Sequence, residues 1–224
     1  MNPQHHLDPS TLVSYAAGAL SEAMVAVAAT HLDGCRHCRT LLRGADEIGG
    51  HLLAQQQPDE DHQGRFKVLR QEMLEHLDEV PPEPDQPAPS VQSGGSTEDL
   101  LPAPLRAYFG PTYRSLRWRW VAPGVRLIRA RQAKGASLIM LKIAPGKSMP
   151  VHSHAGSELT QILQGAYDDK LGHFAAGDMA DLDSEVEHQP VTTPGVPCIC
   201  VAALDGPLRF QGWLARKLQP MVGL

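Results

Sequence analysis

The sequence predicts an α + β protein of two domains, a small four-helix module followed by an all-β barrel. Three observations carry this. Apolar residues recur at helical spacing as far as Leu77 and at strand spacing from Leu116 onward. Between them, residues 80–97 are dominated by proline, glycine, serine and acidic or amide side chains, which cannot pack a core. A cluster of histidine with cysteine or glutamate stands on each side of that stretch, at spacings that suit metal ions. The expected units are 1–80, 81–97 as linker, and 98–224.

Composition sets the frame. Of 224 residues, 42% are apolar and 20% charged, as in ordinary globular proteins. No apolar run approaches the ~20 residues needed to cross a bilayer. The polar start lacks the basic-then-apolar pattern of a signal peptide, so a cytoplasmic protein without membrane association is expected. In a reducing compartment, four cysteines point to metal or redox chemistry rather than disulfides. The net charge of −5 is unevenly spread: residues 1–85 hold six Lys/Arg against fourteen Asp/Glu, and the rest fourteen against eleven. An acidic module disfavours direct nucleic-acid binding and suits a basic partner, although a solvated acidic surface explains it equally well.

The helices follow in order. Asp8-Pro9 supplies an N-cap and a proline at the first helical position, ahead of Leu12, Tyr15, Ala16 and Ala19. Ser21 caps a second helix whose stripe is Met24, Val27, Ala28 and His31, with Gly34 placed to end it. A third begins near Cys35, with Cys38, Leu41, Leu42, Ala45 and Leu52 on its inward face. A fourth is expected over 61–79 through Phe66, Leu69, Met73 and Leu77.

His31-x3-Cys35-x2-Cys38, with His6 upstream, makes a two-imidazole, two-thiolate set that suits a closed tetrahedral Zn²⁺ site. A core this small would gain substantially from the metal. His5 is an alternative to His6, and His37 is expected at the surface. The Cys-x2-Cys pair also admits a redox switch that expels zinc, against the simpler reading of thiolates protected by a structural ion.

Beyond the linker, short β-rich runs separated by Gly and Pro span 116–121, 137–144, 159–163, 196–204 and 208–214. Arg114, Arg117 and Arg119 beside Trp118 and Trp120 read as the wet side of a strand rather than a nucleic-acid patch. Gly146-x5-His152-x-His154-x3-Glu158-x6-Gly165 is the most specific pattern in the chain, and a turn at Gly177-Asp178 precedes His188 by about one strand. Imidazole and carboxylate suit a divalent metal; Zn²⁺ is the first choice, with Mn, Fe or Ni as alternatives. Cys198 and Cys200 share one strand face, either as a redox pair or as small core residues.

The Gly146–Gly165 pattern resembles the first metal-binding motif of the cupin superfamily, with all its fixed positions present. The second motif is looser, because Pro and Gly do not fall where its consensus has them. Taken with His6, His31, Cys35 and Cys38, the whole length resembles the ChrR family of anti-sigma factors, a zinc anti-sigma domain joined to a cupin. The resemblance implies a regulator that sequesters an extracytoplasmic-function (ECF) sigma factor through residues 1–80. Release would follow photo-oxidative stress such as singlet oxygen, sensed by the cupin. It implies Zn²⁺ on His6, His31, Cys35 and Cys38, a second metal on His152, His154, Glu158 and His188, and a family Cys-x-Cys at Cys198 and Cys200. On this reading residues 1–85 suffice for inhibition and the linker lets the halves separate. The competing expectation is a metal-dependent cupin enzyme, dioxygenase- or isomerase-like, with an accessory zinc module.

Overall fold

The computed structural model describes residues 3–57, 63–77, 99–130 and 136–210. The predicted linker, both ends of the fourth predicted helix (61–62 and 78–79) and residues 211–214 of the last predicted strand lie outside them. The architecture is α + β, a helical N-terminal region on a β domain.

Helix α1 (Pro9–Ala16) is capped by Asp8, whose carboxylate accepts from Ser10 N, and α2 (Glu22–Gly34) by Ser21, whose hydroxyl accepts from Met24 N. Gly34 is still helical, so the break before α3 (Arg36–Ala54) belongs to Cys35. That residue is extended (φ −99°, ψ 105°) and closes α2 while its sulfur caps α3 by accepting from Cys38 N. Helix α2 is the buried one: Ala23, Met24, Ala26, Val27, Ala28, Thr30, His31 and Leu32 are all inside.

Two expectations are revised. Only the first turns of α3 face inward. Cys38 is buried and Leu42 half-buried, but Leu41 and Leu52 are 41% and 59% exposed. The apolar stripe exists, yet past Ala45 no other described element covers it. In α4 (Gln63–Glu75) every described side chain from Arg65 onward is exposed, so the packed helical core is built from α1, α2 and the start of α3.

The β domain begins after a 3-10 turn at Ala103–Leu105 and a short helix α5 (Arg106–Phe109). Eleven strands follow: β1 (Arg119–Ala122), β2 (Val125–Arg129), β3 (Ser137–Ile143), β4 (His152–His154), β5 (Glu158–Gln164), β6 (Ala166–Asp169), β7 (Gly172–Ala175), β8 (Met179–Leu182), β9 (Val191–Thr192), β10 (Cys198–Leu204) and β11 (Leu208–Phe210). They pair antiparallel in a six-stranded sheet ordered β1-β2-β3-β10-β5-β8, a three-stranded sheet β7-β6-β9 and a pair β11-β4. Among the described residues no sheet closes on itself. Isolated bridges His152↔His188 and Ser148↔Val191 fasten the segments beside the large sheet.

The large sheet is covered on both faces, which explains why β10 is buried at every position. Ile199, Val201 and Ala203 of β10, with Leu138, Met140, Leu159 and Met179, share one core with Val27, Ala28 and Leu32 of α2 and with Leu101 and Leu105. On the opposite face Cys198 and Cys200 pack with Ile162, Tyr167, Phe174, Ala180 and Leu182. This is strand alternation at work: successive side chains take opposite faces. Helical region and β domain therefore bury apolar surface in common, fastened further by Tyr108, whose hydroxyl donates to Glu22 at 2.9 Å.

Leu159, 2% exposed, sits in that common core. Leu159→Ala should cost about 2–5 kcal/mol. Urea unfolding followed by tryptophan fluorescence and by far-ultraviolet circular dichroism should shift together. Two separated transitions would contradict a common core.

Candidate metal centres

The first centre is assembled at the junction of α2 and α3. His31 arrives on the last turn of α2, Cys35 sits in the break, Cys38 opens α3, and His6 comes from the segment before α1. Their ligand atoms all lie within 4.8 Å of one another. His6 Nδ1 is 3.3 Å from Cys35 Sγ, and His31 Nε2 is 3.3 Å from Cys38 Sγ. His31, Cys35 and Cys38 are buried; His6 is half-buried beside an open cleft of about 390 Å³ lined also by Pro3, Gln4, Gly34, Arg36 and His37.

The His31 ring and the segment that bears His6 are held from outside the cluster. His31 Nδ1 lies 3.0 Å from Gln161 Oε1 and 3.1 Å from Gly177 O. Both neighbours only accept in these contacts, so Nδ1 carries the proton and Nε2 turns a lone pair toward the sulfurs. The segment bearing His6 is tied to the β domain. Asp178 Oδ1 accepts from Gln4 N at 2.6 Å and His5 N at 3.0 Å, and Met179 N donates to His5 O at 3.2 Å. His5 points away from the cluster: its Nε2 is 3.0 Å from His173 O and its ring stacks on Phe174 at 4.0 Å. His37 is exposed, its ring 4.4 Å from that of His6.

The second centre lies inside the β domain. His152 and His154 are the two same-facing residues of β4, Glu158 opens β5, and His188 is bridged to His152 across the backbone. His154 Nε2 meets Glu158 Oε2 at 2.6 Å, His188 Nε2 meets His152 Nε2 at 3.1 Å, and His154 Nε2 is 3.5 Å from His188 Nε2. His152 Nδ1 donates to Pro150 O at 2.9 Å, and His188 Nδ1 to Asp169 Oδ2 at 3.1 Å. Thr160 donates its hydroxyl to the other oxygen of Glu158. His154 Nδ1 has no hydrogen-bond partner among the described residues, so His154 lacks the outer bond that orients His152 and His188.

Both sets fit a cation. With Nδ1 of His152 and His188 each giving its proton outward, two Nε2 lone pairs face each other at 3.1 Å, an arrangement only a positive centre between them relieves. In the first centre, burial pushes the Cys38 thiol up to about 11. A metal would hold it as thiolate, because a coordinated thiol gives up its proton. Burial also lowers the pKa of His6, His31 and His152, keeping them in the neutral form that ligates. Glu158 is held at about 2: burial acts to raise it, but hydrogen bonding and charge from His154 outweigh that, so the carboxylate is ionised. Four nitrogen and sulfur donors suit Zn²⁺; three imidazoles and a carboxylate suit several divalent metals.

Cys198 and Cys200 are free and buried, on the face of β10 that looks toward Ile162 and Tyr167. Cys200 is raised by its hydrogen bond with Cys198 and by burial, and so remains a thiol. Ile162 and Phe174 belong to this interior cluster, whereas Leu163 packs on the helical side. The supporting residues Gln161, Asp169, Thr160 and Asp178 are not singled out by any sequence motif. The Gly177-Asp178 turn is the one signal that touches them.

A helical segment and a cupin-like β domain, each with a metal-ligand cluster, define a class of two-domain, two-centre proteins. The comparisons give the family. Residues 111–207 match the ChrR cupin-like domain. The anti-sigma-E factor ChrR of Cereibacter sphaeroides is 38% identical over 220 residues, 98% of this chain and 98% of that protein. The crystal structure of Rhodobacter sphaeroides SigE in complex with the anti-sigma ChrR matches with a TM-score of 0.69 and 36% identity, over 92% of this chain and 100% of that one. An RmlC-like cupin protein from Ralstonia eutropha matches more weakly, with 21% identity, 46% of this chain, 71% of that one and a TM-score of 0.40. The chain belongs to the ChrR family of anti-sigma factors. Its full-length likeness is to a regulator rather than an enzyme.

Two predictions follow from the geometry. His6→Ala should remove one metal equivalent, measured by elemental analysis after gel filtration, whereas His5→Ala should retain it. The reverse result would reassign the ligand. The second concerns pH in the metal-free chain. His6, His31 and His152 have folded pKa values below the ordinary 6.5, so below that pH the unfolded chain binds more protons than the folded one. Stability complete above 6.5 is then lost as pH falls through the folded values, while Glu158, at about 2, stays ionised. The urea midpoint should be lower at pH of about 5.5 than at about 7.5. An unchanged midpoint would contradict the burial of these rings.

Proposed function

We propose that this chain is a zinc-dependent cytoplasmic anti-sigma factor. It sequesters an ECF sigma factor through residues 1–80, the first domain, and releases it under photo-oxidative stress such as singlet oxygen. The C-terminal domain, 98–224, acts as a cupin barrel and sensor, and 81–97 as linker. The carrying observation is the likeness along the whole length to a protein described as an anti-sigma factor and solved in complex with SigE. Zn²⁺ would be held by His6, His31, Cys35 and Cys38, where it would fix the angle between α2 and α3. A second divalent metal, Zn²⁺ by preference, would be held by His152, His154, Glu158 and His188. Cys198 and Cys200 are candidate redox positions beside the latter. No described helix is long and apolar enough to cross a membrane.

The surface chemistry agrees with this reading. Leu41, Ile48 and Leu52 on α3 are 41%, 63% and 59% exposed, and Phe66, Leu69 and Met73 on α4 are 53%, 41% and 73% exposed. Spacings of three, four and seven residues make each set one helix face, the pattern by which helices anchor in apolar grooves. The first 85 residues carry fourteen Asp/Glu against six Lys/Arg, a balance that suits a partner whose DNA-binding surface is basic.

Co-purification with an ECF sigma factor from the same genome tests it. Wild-type chain should retain the partner. Leu69→Asp with Met73→Asp should lose it with an unchanged urea midpoint, because both side chains are already in water. Capture that survives these changes and the Cys35→Ser, Cys38→Ser pair would sink both the surface and the zinc requirement.

A further inference from the structure

We propose that Gln161 is the positioning residue for His31, and that through Gln161 strand β5 couples the two metal centres. How firmly His31 is presented at the first centre then depends on how β5 is held at the second. The inference deepens the proposed function, since it supplies a physical route from the sensor to the part that would hold a partner.

Strand alternation puts the two centres on opposite faces of one strand. Glu158, Thr160 and Ile162 take one face, where Glu158 meets His154 Nε2 at 2.6 Å and Ile162 packs beside Cys200 and Phe174. Leu159, Gln161 and Leu163 take the other, where Leu159 packs with α2 and Gln161 Oε1 meets His31 Nδ1 at 3.0 Å. Glu158 and Gln161 are three residues apart, roughly 10 Å along an extended strand.

The second acceptor of His31 depends on the same strand. Gly177 N donates to Ile162 O at 2.9 Å, and Ile162 N donates to Asp178 O at 3.0 Å, so the Gly177-Asp178 turn is bound to β5 on both sides. That turn offers Gly177 O to His31 and the Asp178 carboxylate to the backbone before His6. Gln161 itself is 4% exposed, and its amide N–H donates to Ile162 O at 3.3 Å, which fixes which end of the amide faces His31.

A parallel route runs through aromatic rings. Asp169 of β6 holds His188. Tyr167, two residues earlier, stacks on Phe174 across the β6–β7 ladder at 4.9 Å, and Phe174 stacks on His5 at 4.0 Å, next to His6. Ligands of the first centre thus rest on groups whose other contacts define the second. Rearrangement of Glu158 or His188 would pass into the orientation of His31 and the seating of His6 without any covalent change at Cys35 or Cys38.

The test is a double-mutant cycle on the full chain with Co²⁺ as probe. A sulfur-to-Co²⁺ charge-transfer band reports the thiolate centre alone, because the second centre offers only nitrogen and oxygen. Affinity at that band, by chelator competition, is compared for wild type, Glu158→Gln, Gln161→Leu and the double variant. Gln161→Leu should weaken Co²⁺ binding about 10–100-fold, and Gln161→Glu, which keeps the acceptor, should restore most of it. Glu158→Gln should weaken the thiolate centre at least about fivefold in wild type and by less than about twofold in the Gln161→Leu background. Additive losses, an unaffected thiolate centre in Glu158→Gln, or no difference between Gln161→Leu and Gln161→Glu would overturn the proposal. Should Glu158→Gln unfold, Asp169→Ala removes the acceptor that holds His188 and takes its place in the cycle. Sigma-factor capture is scored separately, so a chain that captures nothing refutes the function without touching this result.

Discussion

A histidine presents one nitrogen to a metal reliably only when the other is held, and His31 is held by groups outside its own domain. Its Nδ1 proton is shared between Gln161 Oε1 and Gly177 O, both on the β domain. The tautomer, the ring plane and the direction of Nε2 all follow from this contact. Cys38, whose buried thiol resists ionisation by itself, lies 3.3 Å from that Nε2. The N-terminal cluster therefore takes the outer support of His31 from residues more than a hundred positions downstream.

The packing says the same in apolar terms. α2 is buried along almost its whole length because the face away from α1 and α3 lies on β3, β5 and β10. Leu101 and Leu105, fully buried, close this core from the chain that leads into the β domain. At about 1.5–3 kcal/mol for each fully buried large side chain, such an interface contributes more than the few hydrogen bonds that cross it. Separating the halves would expose that surface, so any release that moves them apart has to offset it with contacts made elsewhere.

The sequence carries the ligands well and their supports poorly. His31 falls on the apolar stripe of α2 with Met24 and Val27, and the 3.6-residue period alone turns it inward. Asp8 and Ser21 announce their helices through cap chemistry that depends only on neighbours in the chain. Gln161 is different. A glutamine in a β-rich run reads as a solvent-facing position, and only the burial of both sheet faces makes it an interior acceptor. Asp169 and Asp178 are hidden for a similar reason, because their partners are distant in the chain and no spacing records them. The outward stripe of α3 is a third case. Periodicity identifies an apolar face but not what covers it, and past Ala45 no described element buries Ile48 or Leu52.

That uncovered stripe bears on how the chain is built. Because the β domain covers α2, the extended apolar helix faces left to water among the described residues are those of α3 and α4. Leaving Leu41, Ile48, Leu52, Phe66, Leu69 and Met73 in water costs the stability their burial would contribute, and invites association. The net acidic charge of the first 85 residues opposes self-association, since two copies would bring like charges together, and favours the approach of a basic partner. The α3 part of this stripe joins α2 directly at the Cys35–Cys38 junction. Its angle is set where α2 meets α3, the point at which His31 enters. On the proposed reading, a change in the grip on His31 would act on this face through the angle of α3.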